Sequence, residues 1–256
     1  MQERHINRKQ YFDEQSESTR KYVLPYILEG RVEKCRVLEI GCGEGGNLAP
    51  FLELGYECWG VELTEGSYNN ALKFYAESPL RERLHLLNKD IYDVTPAELG
   101  GEFGIVFLRD VIEHIPHQEA FMRHLRQLVA PQGVVFFAFP PWRMPFGGHQ
   151  QVSKSKWVSR CPYIHLLPKF VLRCFGVSKN DVNFLKNLQA TGMSIRRFEK
   201  ILKAENYKLL RKTHYLINPN YEVKFGLKPR RLPKIFQIPY LKDFYTTAMY
   251  YLVAKK

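Results

Sequence analysis

The sequence predicts an α/β fold in which helices cover both faces of a largely parallel β-sheet. Short apolar runs without strict alternation recur along the chain and alternate with helical patterns, as expected for strands buried on both faces. The first run is followed by three glycines at alternate positions, Gly41, Gly43 and Gly45, and then by a helical pattern. Such a βα unit can bind a nucleotide, because the loop backbone is accessible and the helix offers free N–H groups.

The other elements follow from the same patterns in chain order. Aromatic and aliphatic residues at helical spacing over Tyr11–Glu29 predict one or two helices over the mouth of the sheet. The predicted strands are Cys35–Ile40, Glu57–Val61, Leu84–Leu87, Gly104–Leu108, Gly133–Phe139, Tyr207–Tyr215 and Thr246–Val253. The predicted helices between them are Asn47–Leu54, Gly66–Ala76, His117–Leu128 and Ser194–Ala204, the last with Ser194 as its N-cap.

Residues 140–193 interrupt the alternation with prolines, adjacent glycines, basic residues and many aromatic residues. We expect an inserted helical lid over the carboxyl edge of the sheet, which would close on a substrate or lie on a membrane surface. The pattern favours a lid that packs its apolar side on the core. The predicted organisation is a helical cap over residues 1–33 and one domain over residues 34–256 that carries this lid.

Composition limits the class of protein. The chain of 256 residues is long enough to bury a sizeable core, and its net charge of +12 favours an anionic ligand, nucleic acid or an anionic membrane surface. The five cysteines lie far apart, which indicates reduced, mostly buried thiols. The polar first 21 residues do not resemble a signal peptide, and no run has the length of a membrane span. We therefore expect a cytoplasmic protein, with a peripheral position at a membrane left open.

Polar side chains follow the predicted strands at their carboxyl ends, where ligands bind in open parallel sheets. Glu62 stands at the end of the second strand, 23 residues after Glu39. A carboxylate at this place can accept hydrogen bonds from both hydroxyls of a ribose. Asp90 and Ile91 follow the third strand and suit the amino group and the ring of an adenine.

Five ordered motifs resemble those of class I S-adenosylmethionine-dependent methyltransferases, in particular the small-molecule branch that includes the ubiquinone and menaquinone methyltransferases. They are VLEIGCGEGG, GVEL, NKDI, FGIVFLRDVIEHI and LVAPQGVVFFAFP, and they span roughly residues 35–140. The resemblance implies S-adenosyl-L-methionine as the cofactor and S-adenosyl-L-homocysteine as its product. It also implies a Rossmann-like sheet of seven strands, of which six are parallel and the last, Thr246–Val253, is antiparallel and inserted near the edge.

The resemblance further assigns cofactor-binding roles. The methionine part would be cradled by Glu39, Gly41, Gly43 and Gly45 and approached by the backbone of Arg109 and Asp110. The ribose would be held by Glu62, and the adenine would be flanked by Asp90 and Ile91. Family members usually carry Asp where this chain has Glu62, and Glu keeps the carboxylate on a longer arm.

The methyl group of the implied cofactor is already electrophilic, so the protein has to align the acceptor and exclude water. A hydroxyl acceptor is helped by a general base, for which we predict His149, in the loop after the fifth strand, and His114. Asp110, Glu113 and His114 also resemble the metal motif of some Mg-dependent methyltransferases. The alternative is that Glu113 and His114 make local caps and salt bridges, and we include no metal in the prediction.

The sequence thus predicts methyl transfer to a small-molecule acceptor, at oxygen first and at carbon next. The positive charge would suit an acceptor that is anionic or lipid-linked. One alternative is an RNA methyltransferase, although the basic residues are scattered rather than grouped in a nucleic-acid-binding module. A NAD-dependent oxidoreductase is a second alternative, because Gly41, Gly43 and Gly46 satisfy its glycine pattern. A non-catalytic cofactor-binding protein is the third, and the oligomeric state stays open.

Overall fold

The computed structural model describes residues 7–29, 33–148, 150, 156–174 and 177–256. In this part of the chain, eight strands form one sheet. Their bounds are β1 Val37–Ile40, β2 Cys58–Glu62, β3 Leu84–Asn88, β4 Phe103–Arg109, β5 Val129–Phe139, β6 Tyr207–Ile217, β7 Arg230–Arg231 and β8 Ala248–Lys255. The order across the sheet is β3-β2-β1-β4-β5-β8-β6-β7.

The pairing confirms the predicted α/β class. Strands β1 to β5 pair in parallel, whereas β8 lies antiparallel between β5 and β6. The predicted antiparallel strand near the edge is therefore confirmed. The predicted count of seven strands is wrong by one, because the two-residue β7 pairs with the end of β6.

Eleven α-helices surround this sheet in the described part of the chain. They are α1 Arg8–Ser18, α2 Leu24–Leu28, α3 Ala49–Glu53, α4 Glu65–Tyr75, α5 Gln118–Leu128, α6 Lys156–Arg160, α7 Lys169–Cys174, α8 Lys179–Thr191, α9 Ile195–Ala204, α10 Asn220–Phe225 and α11 Lys242–Tyr245. Ser194 caps α9 as predicted, since its hydroxyl accepts a hydrogen bond from the amide of Arg197 at 3.1 Å.

The core consists of two apolar layers, one on each face of the sheet. Successive residues of β5 alternate between them, so Phe137 packs in the layer with α5 and α9, and Phe136 packs in the layer with α2 and α3. Both phenylalanines are fully buried. This double burial explains why the strands read as continuous apolar runs in the sequence.

The described part of the insertion over residues 140–193 contains α6, α7 and α8. Val158, Ile164, Leu172 and Val182 are buried in a separate small apolar cluster of these helices. The two ends of the insertion are held together, since the amide of Trp142 donates to the carbonyl of Met193 at 2.8 Å. Its apolar side chains therefore pack largely on each other.

The five cysteines are all free thiols, as expected. Cys42 and Cys58 are buried, whereas Cys35 and Cys161 are half-buried and Cys174 is exposed. The prediction of mostly buried thiols is wrong, because only Cys42 and Cys58 are buried, and the insertion that carries Cys161 and Cys174 has only a small apolar cluster. None of the described helices combines the length and the hydropathy that a membrane crossing requires.

Candidate functional site

The glycine loop after β1 lies at the carboxyl edge of the sheet. Gly41 and Gly43 have φ angles of +69° and +54°, which favour glycine. A β-carbon on Gly41 would lie 2.6 Å from Cγ2 of Val111, whereas a β-carbon on Gly43 would meet no heavy atom of the described residues within 4 Å. The loop is therefore packed against Val111 at its start and open at Gly43, where a ligand can lie against the backbone.

Glu62 ends β2 beside this open point. The amide of Gly43 donates to Oε2 of Glu62 at 2.8 Å, and the amide of Thr64 donates to Oε1 at 2.8 Å. A carboxylate offers about four acceptor positions, so each oxygen keeps capacity for a further donor. The structure thus brings Glu62 and the predicted glycine loop together.

Glu39 lies on β1 and is fully buried. Its Oε1 accepts a 2.7 Å hydrogen bond from Nδ2 of Asn47, and its Oε2 has no hydrogen-bond partner among the residues that the structure describes. Burial raises the pKa of Glu39 well above its ordinary value, against the opposing effects of the Asn47 bond and the Arg109 charge. This oxygen can therefore accept a hydrogen bond from a ligand.

The side chain of Arg109, at the end of β4, bonds both to the N-terminal segment and to the glycine loop. Its Nη1 donates to Oγ1 of Thr19 at 3.0 Å and to Oδ1 of Asn47 at 2.9 Å, and its Nη2 donates to Oγ of Ser18 at 2.7 Å. Only 8% of Arg109 is exposed. The guanidinium therefore fixes the N-terminal segment and the glycine loop, and the approach of the Arg109 backbone to a cofactor stays a prediction.

The glycine loop is also held from two other sides. Nε of Arg8, in α1, donates to Oε1 of the buried Glu44 at 2.6 Å. The hydroxyl of Tyr75, in α4, donates to the carbonyl of Gly45 at 2.8 Å. Helix α1 thus forms one wall of the site, and the loop geometry is set by long-range contacts as well as by its glycines.

Asp90 and Ile91 stand past the end of β3, one strand beyond Glu62. Oδ1 of Asp90 accepts a 3.0 Å hydrogen bond from the amide of Tyr92, which leaves the exposed carboxylate free acceptor capacity. Ile91 is 8% exposed and belongs to the core. Nδ2 of Asn88 donates to the carbonyl of Glu62 at 2.7 Å, so the ends of β2 and β3 are fixed to each other.

The chain turns sharply after β4. Asp110 has a φ of +56°, and its amide donates to the carbonyl of Ala138 at 2.7 Å. Glu113 is 6% exposed, and neither carboxylate oxygen has a hydrogen-bond partner among the described residues. Burial, followed by the charge of Asp110, raises the pKa of Glu113 well above its ordinary value.

His114 meets the insertion at this end of the sheet, where Glu113, His114 and Trp142 line a small pocket. Burial lowers the pKa of His114 below 6.5, and the charge of Asp110 opposes that shift. A neutral imidazole can take a proton, so His114 is chemically suited to act as a base. His149, the other predicted base, lies outside the described residues.

No group of three or more His, Cys, Asp and Glu side chains within the described ranges is arranged to hold a metal ion. Nε2 of His114 lies 4.0 Å from Oε1 of Glu113, beyond hydrogen-bond distance. The hypothesised set of Asp110, Glu113 and His114 is therefore not brought together around one point.

Sequence reasoning missed the partners of Arg109 and Glu39. Ser18 and Thr19 lie more than 80 residues from Arg109 in the chain, and no local pattern indicates such a contact. Asn47 carried a weak signal, because it follows the glycines directly and starts the predicted helix. In the structure the helix begins at Ala49, which leaves Asn47 in the loop to bond both Glu39 and Arg109.

Comparison with known proteins identifies the family. Residues 7–170 match the family described as Methyltransferase domain, which is more than half of the chain. The chain belongs to this methyltransferase family. A curated relative, the ubiquinone biosynthesis O-methyltransferase of Bordetella avium (strain 197N), is 30% identical over 119 residues, or 43% of this chain and 45% of the relative. The chain thus matches less than half the length of that relative.

Solved methyltransferase structures share the fold. The magnesium protoporphyrin IX methyltransferase ChlM from Synechocystis PCC 6803, with bound SAH, has a TM-score of 0.56 at 14% identity and is matched over 95% of this chain and 84% of its own. The glycopeptide N-methyltransferase MtfA, complexed with (S)-adenosyl-L-methionine, has a TM-score of 0.55 at 14% identity over 94% of this chain and 87% of its own. At these identities the likeness shows the shared fold alone.

Proposed function

We propose that this protein transfers a methyl group from S-adenosyl-L-methionine to a small-molecule acceptor. The observation that carries the proposal is the carboxylate of Glu62, which faces the open backbone of Gly43 at the carboxyl edge of the sheet. The family match and the fold shared with ChlM and MtfA support the same reading. The curated relative acts as an O-methyltransferase by its name, and we propose oxygen as the first acceptor atom and carbon as the next.

The residues present fit this cofactor. Both oxygens of Glu62 can accept from ribose hydroxyls, and the exposed carboxylate of Asp90 can accept from an adenine amino group beside the apolar Ile91. Oε2 of Glu39 is a buried acceptor without a partner among the described residues. A charged amino group at the methionine end would satisfy such an acceptor. We assign the cofactor site to Glu39, Gly41, Gly43, Gly45, Glu62, Asp90, Ile91 and the backbone of Arg109 and Asp110.

When bound, the cofactor supplies a methyl group that is already activated for transfer. The residues of this chain then have to orient the acceptor, exclude water and remove a proton. Helix α1, held by Arg8 and Arg109, and the insertion near Trp142 form walls on two sides of the strand ends. We propose His149 and His114 as the bases that take the proton of a hydroxyl acceptor.

The finer proposal concerns the class of acceptor. The net charge of +12 favours an anionic head group, and Leu63, which directly follows Glu62 and is 68% exposed, favours a molecule with an apolar tail. We therefore propose an amphiphilic, anionic or lipid-linked acceptor that is reached at a membrane surface. The Methyltransferase domain match argues against the NAD-dependent alternative.

Calorimetric titration with S-adenosylhomocysteine, beside NADH as the control ligand, tests the cofactor. We expect micromolar binding of the former alone. Binding of NADH alone would overturn the proposal. A screen of hydroxylated amphiphiles with a labelled methyl donor then tests the transfer, and cofactor binding without transfer to any of them would favour a non-catalytic binding protein.

A further inference from the structure

The segment that joins β6 to β8 carries an exposed surface that is both apolar and basic. We call residues 225–245 the basic–apolar surface. Eight of the fifteen large apolar side chains that are exposed in the described residues lie here, although the segment is less than a tenth of the chain. They are Phe225, Leu227, Ile235, Phe236, Ile238, Tyr240, Leu241 and Tyr245. Ile235 has the highest exposure among them at 76%, and exposed apolar side chains concentrated in one segment are typical of an interaction surface.

Positive charges are interleaved with these apolar side chains. Lys228, Arg230, Arg231 and Lys234 are all exposed. The sequence contains no Asp or Glu from residue 223 to residue 242, so no acidic side chain of the segment offsets them there. Arg230 and Arg231 also form the edge strand β7, where charge prevents pairing with another sheet.

The basic–apolar surface is fixed to the domain, so its exposure is a feature of the folded chain. The amide of Leu232 donates to the carbonyl of His214 at 2.8 Å, and Leu232 itself is 3% exposed. Nε2 of Gln237 donates to the carbonyl of Leu232 at 3.0 Å. At the far end, the hydroxyl of Tyr163 donates to the carbonyl of Phe244 at 3.0 Å, which joins the surface to the insertion.

The surface begins at the edge of the sheet that carries the candidate site. Strand β6 runs in the same direction as β4 and β5, because β8 is antiparallel to both β5 and β6. Nζ of Lys224, at the end of α10, lies 5.7 Å from the ring centre of Tyr11 in α1. Burial raises the pKa of Tyr221, and the charge of Asp110 adds to that shift, so α10 lies within electrostatic reach of the turn after β4.

We infer that the basic–apolar surface docks this protein on an anionic phospholipid membrane. Aliphatic and aromatic side chains enter the boundary between head groups and acyl chains, while lysines and arginines bind the anionic head groups. A single-stranded RNA would use the positive charges and the aromatic rings, but it gains little from exposed aliphatic side chains such as Ile235 and Ile238. The combination of aliphatic exposure and unopposed positive charge therefore favours a lipid surface.

This inference rests on the proposed function and extends it to the route of the acceptor. A lipid-linked acceptor would reach the carboxyl edge of the sheet from the membrane side. Vesicle binding is measured without any methyl transfer. Vesicle binding without methyl transfer would contradict the proposed function alone. Cofactor binding without vesicle binding would contradict the membrane inference alone.

The test is co-sedimentation of the full chain with vesicles of phosphatidylcholine alone and with vesicles of equal parts phosphatidylcholine and phosphatidylglycerol. We expect binding to the anionic vesicles, weakened by high salt. Lys228→Gln with Lys234→Gln should lower this binding roughly 25-fold, since each basic residue near the surface contributes roughly a factor of five. The matched control is Lys203→Gln with Lys208→Gln, which removes two exposed lysines outside the surface.

A second pair tests the apolar contribution. Ile235→Ser with Ile238→Ser should lower vesicle binding by roughly tenfold or more, because two exposed aliphatic side chains no longer enter the lipid. The control is Leu209→Ser with Leu210→Ser, two exposed leucines at the start of β6. Both variants replace exposed side chains, and circular dichroism confirms that they fold.

Four results would overturn the inference. One is equal binding to neutral and anionic vesicles, and another is no binding to either. A third is that the double lysine variant and the double isoleucine variant bind the anionic vesicles as strongly as their control variants do. The last is a wild-type dimer on size-exclusion chromatography that dissociates on Ile235→Ser with Ile238→Ser, because a second copy of the chain would then cover the surface.

Discussion

The backbone amide of Gly43 donates a 2.8 Å hydrogen bond to Oε2 of Glu62 and so links the loop after β1 to the end of β2. The amide of Thr64 fixes the other oxygen at the same distance. The protein itself therefore orients the carboxylate of Glu62. A ligand that bonds to the remaining acceptor positions of this carboxylate does not lose free energy in ordering the side chain.

Replacing this carboxylate should weaken cofactor binding. We expect Glu62→Ala to reduce the affinity for S-adenosylhomocysteine by roughly 1–3 kcal/mol, the scale of a lost hydrogen bond to a charged group. Calorimetric titration measures the affinity. The control is Glu65→Ala, because Glu65 is an exposed acid three residues away. Unchanged affinity in Glu62→Ala would remove Glu62 from the cofactor site.

The two loop glycines should respond differently to a methyl group. At Gly43, Ala has open space and suffers only the left-handed φ, which costs about 1–2 kcal/mol. At Gly41, Ala meets the same strain and also approaches Cγ2 of Val111 to 2.6 Å. Urea unfolding should therefore show a larger loss of stability for Gly41→Ala, partly restored by Val111→Ala. Equal losses for the two glycines would contradict the packing described for Gly41.

The bond between Ser18 and Arg109 should stabilise the fold. Ser18→Ala removes the 2.7 Å hydrogen bond to the buried guanidinium, at a cost of about 1.5–3 kcal/mol in the free energy of unfolding. Ser16→Ala is the control, because that hydroxyl makes only a 3.4 Å contact with Arg20. Denaturant titration compares them, and a cost for Ser18→Ala no greater than that of Ser16→Ala would show that the bond does not stabilise the protein.

Glu113 should make stability depend on pH. Its pKa is raised in the folded state, so its contribution to the free energy of unfolding is fully present below about pH 4.5 and is lost as the pH rises towards the folded-state pKa. Glu113→Gln cannot ionise and should gain stability over the wild type through that interval. A urea series at several pH values measures the gain, with the exposed Glu119→Gln as the control. Parallel curves for wild type and Glu113→Gln would disprove the effect.

The two candidate bases can be separated by kinetics. We expect His149→Ala and His114→Ala to lower turnover while the affinity for S-adenosylhomocysteine is unchanged. Because burial lowers the pKa of His114, a dependence of turnover on this base should lie below pH 6.5 and disappear in His114→Ala. His85→Ala, a partly exposed histidine stacked on Trp59, serves as the control. If a variant keeps full activity, the histidine that it replaces is not the base.

The parts of the fold that depend on local pattern could be predicted from the sequence. Residues close together in the sequence determine the apolar runs of β1 to β5, the glycines after β1 and the Ser194 cap. The structure has these features close to the predicted positions. The antiparallel β8 was predicted only through the family resemblance, because its apolar pattern does not state its direction. The two-residue β7 has no pattern of its own and depends on the end of β6.

The site was harder to predict where it depends on distant contacts. The position of Glu62 after β2 sufficed to predict that it lies at the same edge of the sheet as the glycine loop. The role of Arg109 in holding Ser18 and Thr19 depends on how α1 packs over the sheet, which no local pattern encodes. Likewise, the pattern of the insertion favoured a lid that packs its apolar side on the core, with a membrane-facing lid as the other possibility, whereas its apolar residues largely fill their own cluster. The segment after β6 holds more of the exposed large apolar side chains of the described residues than the insertion does.

The place of β8 has a consequence for synthesis on the ribosome. Strand β6 reaches the rest of the sheet only through β8, which follows it in the chain by about thirty residues. While translation proceeds, β1 to β5 can pair as they emerge, but β6 can pair only with the two-residue β7 among the described strands until residues 248–255 leave the exit tunnel. We expect a nascent chain stalled before residue 248 to expose β6 and to need protection by chaperones.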